Sequence, residues 1–250
     1  MISRILAWLA DGTHWQGDDG ILRRVVEHLE YSVTALLIAA LIAIPLGLYI
    51  GHTGRGRFLV VNALGAARAI PSLGLLFLAF LWLGPKLSGD IAFLAPAGLV
   101  LVVLAIPPIL SGTYAGVEGV DPAARDAAVG MGMRGTEVLR HVELPCALPL
   151  ILSGTRSAML QVIATATIAA VVGLGGLGRF LIDGLAVRDT PQTASGAVLV
   201  AILALLMDMA LALVQRLVVS PGLAGRYGKV SPTDAEIGTA IPASALQQSV

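Results

Sequence analysis

Apolar residues in this chain lie in long runs separated by short polar segments, and the runs set the expected elements. A helix crossing hydrocarbon needs about 20 mostly apolar residues, because the core is about 30 Å thick and a helix rises 1.5 Å per residue. Tyr31 to Gly51 carries no charge and predicts a first span. Phe58 to Leu83, apolar apart from Arg68 and interrupted by Pro71, predicts a second. Ile91 to Val117 is free of charge, with Pro107-Pro108 expected to bend or end the regular helix, so the third span is placed at about 91–113. Ala147 to Val172, with Arg156 near its start, predicts a fourth, and Thr193 to Gln215, with Asp208 inside it, a fifth. The fold class expected is all-α, a polytopic transmembrane helical bundle with five core spans. A sixth would have to come from Met1 to Ala10, which is too short.

Composition agrees. Only 13% of residues are charged, against about 25% in a soluble domain, and mean hydropathy is +0.86. Such a surface suits lipid rather than water, and the same numbers exclude a disordered chain. Zero net charge argues against a nucleic-acid partner. One cysteine, Cys146, excludes an internal disulfide and a cysteine-clustered metal site. Residues 1–30 read as an interfacial segment anchored by Trp8 and Trp15, since the acidic DGTHWQGDD after the short apolar run is no signal-peptide cleavage site. Residues 31–218 form the membrane domain, and 219–250, small and polar, a loose tail. No internal repeat supports an inverted-repeat transporter.

Basic residues give the orientation. With the C-terminus inside, inner segments hold Arg55, Arg57, Arg125, Arg134, Arg140, Arg216, Arg226 and Lys229, and the outer loops only Lys86, Arg179 and Arg188. Arg4, Arg23 and Arg24 of the outer N-terminal segment reduce the bias without reversing it. The long loop at 118–145 is therefore expected on the cytoplasmic side.

That loop, EGVDPAARDAAVGMGMRGTEVLRHVELP, has the signals of ordered structure. Asp121 can cap a helix that opens on Pro122, and can pair with Arg125 four residues on. Ala123, Ala124, Ala127 and Ala128 offer a bare surface for close approach. Gly130 and Gly132 stop the helix. Thr136 can cap a second short helix running to about His141 and ending before Pro145. Two short helices joined by a glycine turn suit docking, although a surface hairpin without a partner would look the same.

The stretch resembles the EAA motif of permease subunits of ATP-binding-cassette importers. Asp126-Ala127-Ala128, Gly132, Val142 and Leu144-Pro145 stand at every required spacing, with Asp in place of Glu and Val in place of Ile. The resemblance implies that this loop docks into a cleft of an ATPase subunit and couples its closure to the spans. AARAIPSLGLL (Ala66–Leu76), PPILSGTYAGVEGVDP (Pro107–Pro122), ATATIAAVVGLGGLG (Ala164–Gly178) and the LLMD of the last span are similar to permeases for glycine betaine, carnitine, choline and proline betaine. This implies the type I importer fold in a bacterial cell membrane. The implied partners are ABC ATPase subunits, an external substrate-binding protein and a second permease copy or paralogue. ATP and magnesium would be held by the ATPase, with no cofactor on this chain and no fused binding domain. A methionine or other amino-acid importer is the alternative substrate class.

The remaining constellations are weaker. Gly173-Leu-Gly-Gly-Leu-Gly178 follows a membrane helix rather than a strand, so a dinucleotide site is not expected. No nucleotide-binding motif, nucleophile–base set or metal set is visible, which argues against an enzyme. Arg68 and Asp208 are costly inside a bilayer and are candidate pathway groups, with a structural pairing slightly favoured for both. A secondary transporter would need more intramembrane carboxylates than Asp208. Ser72, Gln161, Thr165 and Thr167 can line a pathway or bond across helices. With 12 aromatic residues, several at interface positions, no aromatic cage for a quaternary ammonium group is apparent.

Overall fold

The computed structural model describes residues 1–58 and 71–219. Their ordered elements are helical: α1 (Ile2–Ala10), α2 (Ile21–Thr53), α3 (Ser72–Leu83), α4 (Ile91–Glu118), α5 (Pro122–Gly130), α6 (Gly135–Val138), α7 (Leu144–Ala169), α8 (Gly178–Ala186) and α9 (Thr190–Val218). Four helical stretches among the described residues are long and apolar enough to cross a membrane: α2, α4, Gly135–Val172 and α9. The shorter apolar α3 is the described part of the second expected span. Arg68 and the tail beyond residue 219 lie outside the described residues.

Helix α4 is the centre. It packs against α2 on one side and α7 on the other, burying Leu101, Ala105, Ile109 and Leu110 with Ala35, Ala39 and Ala43 of α2 and Ala158, Met159, Val162 and Ile163 of α7. Lipid tails are as apolar as leucine, so close packing of small residues holds such helices together. At the α4–α7 crossing, a Cβ added to Gly112 would lie 2.5 Å from the Leu150 carbonyl oxygen, and one on Gly154 2.6 Å from that of Pro108. The two backbones touch there because neither residue has a side chain.

Three expectations about helix ends are corrected. α4 runs without a break through Pro107 and Pro108 to Glu118. Each proline removes a donor, but packed neighbours in a membrane protein can accommodate the freed groups, and the Pro108 carbonyl lies against Gly154. The second limb of the loop does not stop before Pro145 either. A π turn over Leu139–Glu143 joins α6 directly to α7, and Pro145 sits in the first turn of α7, where a missing N–H is tolerated. The first helix also starts ten residues earlier than its apolar run, since Arg23, Arg24, Glu27 and Glu30 end the lipid-facing stretch without ending the helix.

Helix α1 lies beside α9 at the end opposite the loop. Trp8 stacks on His14 (ring centroids 4.1 Å apart) and meets Phe180 edge-on at 5.5 Å, while the Trp15 indole donates to the Leu9 carbonyl at 2.8 Å. Trp15 folds this segment on itself and Trp8 packs it against the protein; Met1, Ile2 and Leu6 are among its exposed apolar residues. Along α9 only Ser195, Gly196 and Leu203 are buried within the chain.

Candidate docking loop and the polar groups of the spans

Helix α5 is closed at both ends by its own sequence. The Asp121 carboxylate accepts the Ala123 N–H at 2.9 Å, and Pro122 takes the first helical position. At the other end Gly132 is left-handed (φ +89°), the Gly132 N–H donates to Val129 at 2.9 Å and the Met133 N–H to Ala128 at 3.1 Å. These two bonds make a Schellman cap, which requires the left-handed residue at Gly132. The second limb is capped differently from the expectation. Glu137, not Thr136, does the work, its carboxylate accepting the Arg134 N–H at 2.7 Å.

The loop presents Asp126 and Ala127 outward, with Ala123, Ala124, Val129 and Met131 beside them. Ala128 is a correction: it is 2% exposed and faces the chain's own interior. Gly132 is exposed, and Val142, Leu144 and Pro145 are half-buried at the π turn and the start of α7.

Arg125 does not pair with Asp121. Its Nε forms an ion pair with Glu143 Oε1 at 2.8 Å, and its Nη2 donates to the Val117 carbonyl in the last turn of α4. The other Glu143 oxygen, Oε2, binds His52 Nδ1 at 2.7 Å in the last turn of α2. Glu143 is 2% exposed, and a buried carboxylate needs such partners. Beside this junction Arg57 and Glu118 form a more exposed pair at 2.8 Å. Sequence reasoning missed Glu143 and His52. A lone acid at the apolar end of the motif was a visible signal, but nothing links it to a histidine 91 positions earlier.

Within the spans, Arg156 and Asp208 pair in fork geometry, Nε to Oδ1 at 2.9 Å and Nη2 to Oδ2 at 2.8 Å. Arg156 Nη1 also reaches Gln215 Oε1 at 3.3 Å, and Gln215 Nε2 donates to the Pro149 carbonyl at 3.1 Å. The network ties α9 to α7. Two opposite charges in otherwise uncharged spans were a usable sequence signal for it. Thr165 and Thr167 spend their hydroxyls on their own helix, on the Gln161 and Ile163 carbonyls at 2.9 and 3.0 Å. Thr165 is buried, Gln161 exposed, and Ser72 half-buried at the start of α3 after Pro71. A cleft of about 960 Å³ opens between α2 and α4 at the end away from the loop, with Tyr31, Thr34, Phe93, Glu30 and Asp90 among its walls. None of Ser72, Gln161, Thr165, Thr167 or Asp208 lines it.

At that end the Gly173–Gly178 turn closes over α2. The Gly176 N–H donates to Glu27 at 2.9 Å, and His28, fully buried beneath, donates from Nε2 to the Ile163 carbonyl at 3.1 Å. A Cβ on Gly175 would lie 2.5 Å from the Glu27 carboxylate, so the missing side chain permits the close approach.

Residues 43–220 match the family model described as the inner membrane component of binding-protein-dependent transport systems. The chain belongs to this family. The permease is 34% identical over 207 residues to the glycine betaine/carnitine/choline transport system permease protein OpuCB of Bacillus subtilis, covering 82% of this chain and 91% of that one. It is 32% identical to the choline transport system permease protein OpuBB of the same organism, covering 81% and 90%. Its fold is similar to a chain of the MetNI methionine ABC transporter in an inward-facing conformation, with TM-score 0.67, 23% identity and coverage of 80% and 96%. The permease is thus an all-α inner-membrane protein with the type I importer fold, as its sequence predicted.

Proposed function

We propose that this permease forms half of the pathway of an ATP-driven importer for a small osmoprotectant of the glycine betaine, carnitine, choline or proline betaine kind. ATPase subunits, which hold ATP and magnesium, dock on the two α5 loops of a permease pair, and an external binding protein delivers substrate. The chain itself hydrolyses nothing. The observation that carries this reading is the loop: capped at both ends, tied to the spans through Arg125, and presenting Asp126 and Ala127 outward at the spacing of the motif. Closure of the ATPases moves the loops and turns the pathway outward, a two-state change biased by ligands. The methionine importer shares the fold, which leaves its substrate class a competitor for the test.

The test uses proteoliposomes with the permease, its ATPase and its binding protein. Labelled glycine betaine, choline and carnitine should accumulate with ATP, and methionine should not. With Cys146 replaced, cysteines at positions 126 and 127 should crosslink to the ATPase, whereas one at 128 should not, because Ala128 faces inward. Free reaction of the first two with a water-soluble reagent and no crosslink would defeat the docking reading. Methionine uptake alone would move the substrate to the amino-acid class.

A further inference from the structure

We propose that Glu143 is a positioning residue, the joint through which movement of the docking helix reaches the first and third membrane helices. The inference rests on the importer reading and adds to it the parts that carry the movement.

Side chains of two other helices meet at one carboxylate, and one of them reaches a third. Oε1 faces Arg125 of α5 at 2.8 Å, Oε2 faces His52 of α2 at 2.7 Å, and Arg125 in turn holds the Val117 carbonyl of α4. The His52 ring also lies against the start of the second limb, where a Cβ on Gly135 would be 3.4 Å from its Nε2. Glu143 itself is the last residue of the π turn that leads into α7. A π turn holds more residues than an α turn, so it offsets the faces before and after it, and such turns recur at functional sites.

Stability does not demand a charge here. A buried ion pair is often no more stable than apolar residues of similar volume. The charge adds direction. Apolar contact is non-directional and resists compression, but it lets surfaces slide or part. A carboxylate hydrogen-bonded to His52 through one oxygen and held by the Arg125 charge at 2.8 Å from the other also resists the parting of the helices. Such a joint pulls α2 and α4 along when α5 is drawn away from the bundle, and pushes them when α5 returns. The exposed Arg57–Glu118 pair beside it is screened by water and grips less firmly.

The experiment uses the whole complex in proteoliposomes, with Glu143→Gln, Arg125→Gln and the double variant. Its readout is the ratio of hydrolysis with the loaded binding protein to hydrolysis without it, alongside uptake and copurification of the ATPase. Glu143→Gln keeps the shape of the side chain and should keep the complex assembled, while the ratio falls about tenfold, a typical coupling magnitude. Arg125→Gln should lower it similarly. Because both residues belong to one link, the double variant should be no worse than either alone. A ratio in Glu143→Gln within about twofold of the unsubstituted complex, a multiplicative loss in the double variant, or loss of ATPase copurification would each overturn the assignment and leave the importer reading standing. If the unsubstituted complex itself neither imports nor responds to the binding protein, the importer reading fails and the joint with it.

Discussion

The two ends of the helix bundle are closed by different chemistry. At the loop end, long side chains span the gaps between helices: Arg125, Glu143 and His52 link α5, α7 and α2, and Arg57 reaches Glu118. At the opposite end, beside the open cleft between α2 and α4, one turn is seated without a gap. The Gly173–Gly178 turn lies directly on α2 and α7, with Glu27 bound to a backbone N–H and Phe93 packed against Gly173 at 2.9 Å from where a Cβ would be. Long arms can pivot and keep their partners, whereas backbone contacts tolerate almost no displacement. The loop end is therefore built to move while attached, and the far end to stay in place.

Substitutions can break that contrast. The largest effect is expected at the far end. A side chain on Gly178 would run into the Thr167 carbonyl and lie 2.9 Å from Ala170 Cβ, so Gly178→Val should cost about 3 kcal/mol of stability by overpacking and abolish uptake. Thermal unfolding in detergent would show it as a lower midpoint; an unchanged midpoint would mean that this end is softer than its contacts suggest. At the loop end Gly132 has nothing within 4 Å of a would-be Cβ, so only its backbone conformation resists substitution. Gly132→Val should cost about 1–2 kcal/mol locally, leave insertion and the far end intact, and sharply reduce uptake. Gly132→Asn, which accepts the left-handed conformation, should recover most of it. Asp208→Asn should have the smallest effect. Asparagine keeps an acceptor for Arg156, so uptake should largely persist with a modest fall in midpoint, relieved when Arg156→Gln is added. Loss of uptake in an intact Asp208→Asn complex would instead give that charge a part in transport.

What could be read in advance follows the range of the physics. Four of the five expected spans, the Asp121 cap and the Gly132 stop are local, set by residues close in the chain, and the described residues have them. The errors lie where local signals were weighed without neighbours. Pro107-Pro108 looked like a break because the packed carbonyls around α4 are invisible in sequence. Arg125 looked like the partner of Asp121, four residues away, because its actual partners come from other helices. Ala128 looked like bare surface because nothing local said which side of α5 faces inward. Glu143 and His52 were out of reach for the same reason, since their meeting depends on how α2 and α7 cross. Arg156 with Asp208 is the intermediate case, inferable from scarcity of charge once both are seen to be buried in lipid.

The unbroken helix from Gly135 to Val172 has one more consequence. Its 38 residues make a rod about 57 Å long at 1.5 Å per residue. Its backbone touches that of α4 at two places, Gly154 beside Gly112 and Pro108, and Ala147 beside Gly116. Two contacts about 10 Å apart along the rod fix its angle to α4 as well as its distance. The rod therefore does not rock on its neighbour; the two shift as one piece or not at all. A Cβ at Gly112, Gly116 or Gly154 would prise them apart.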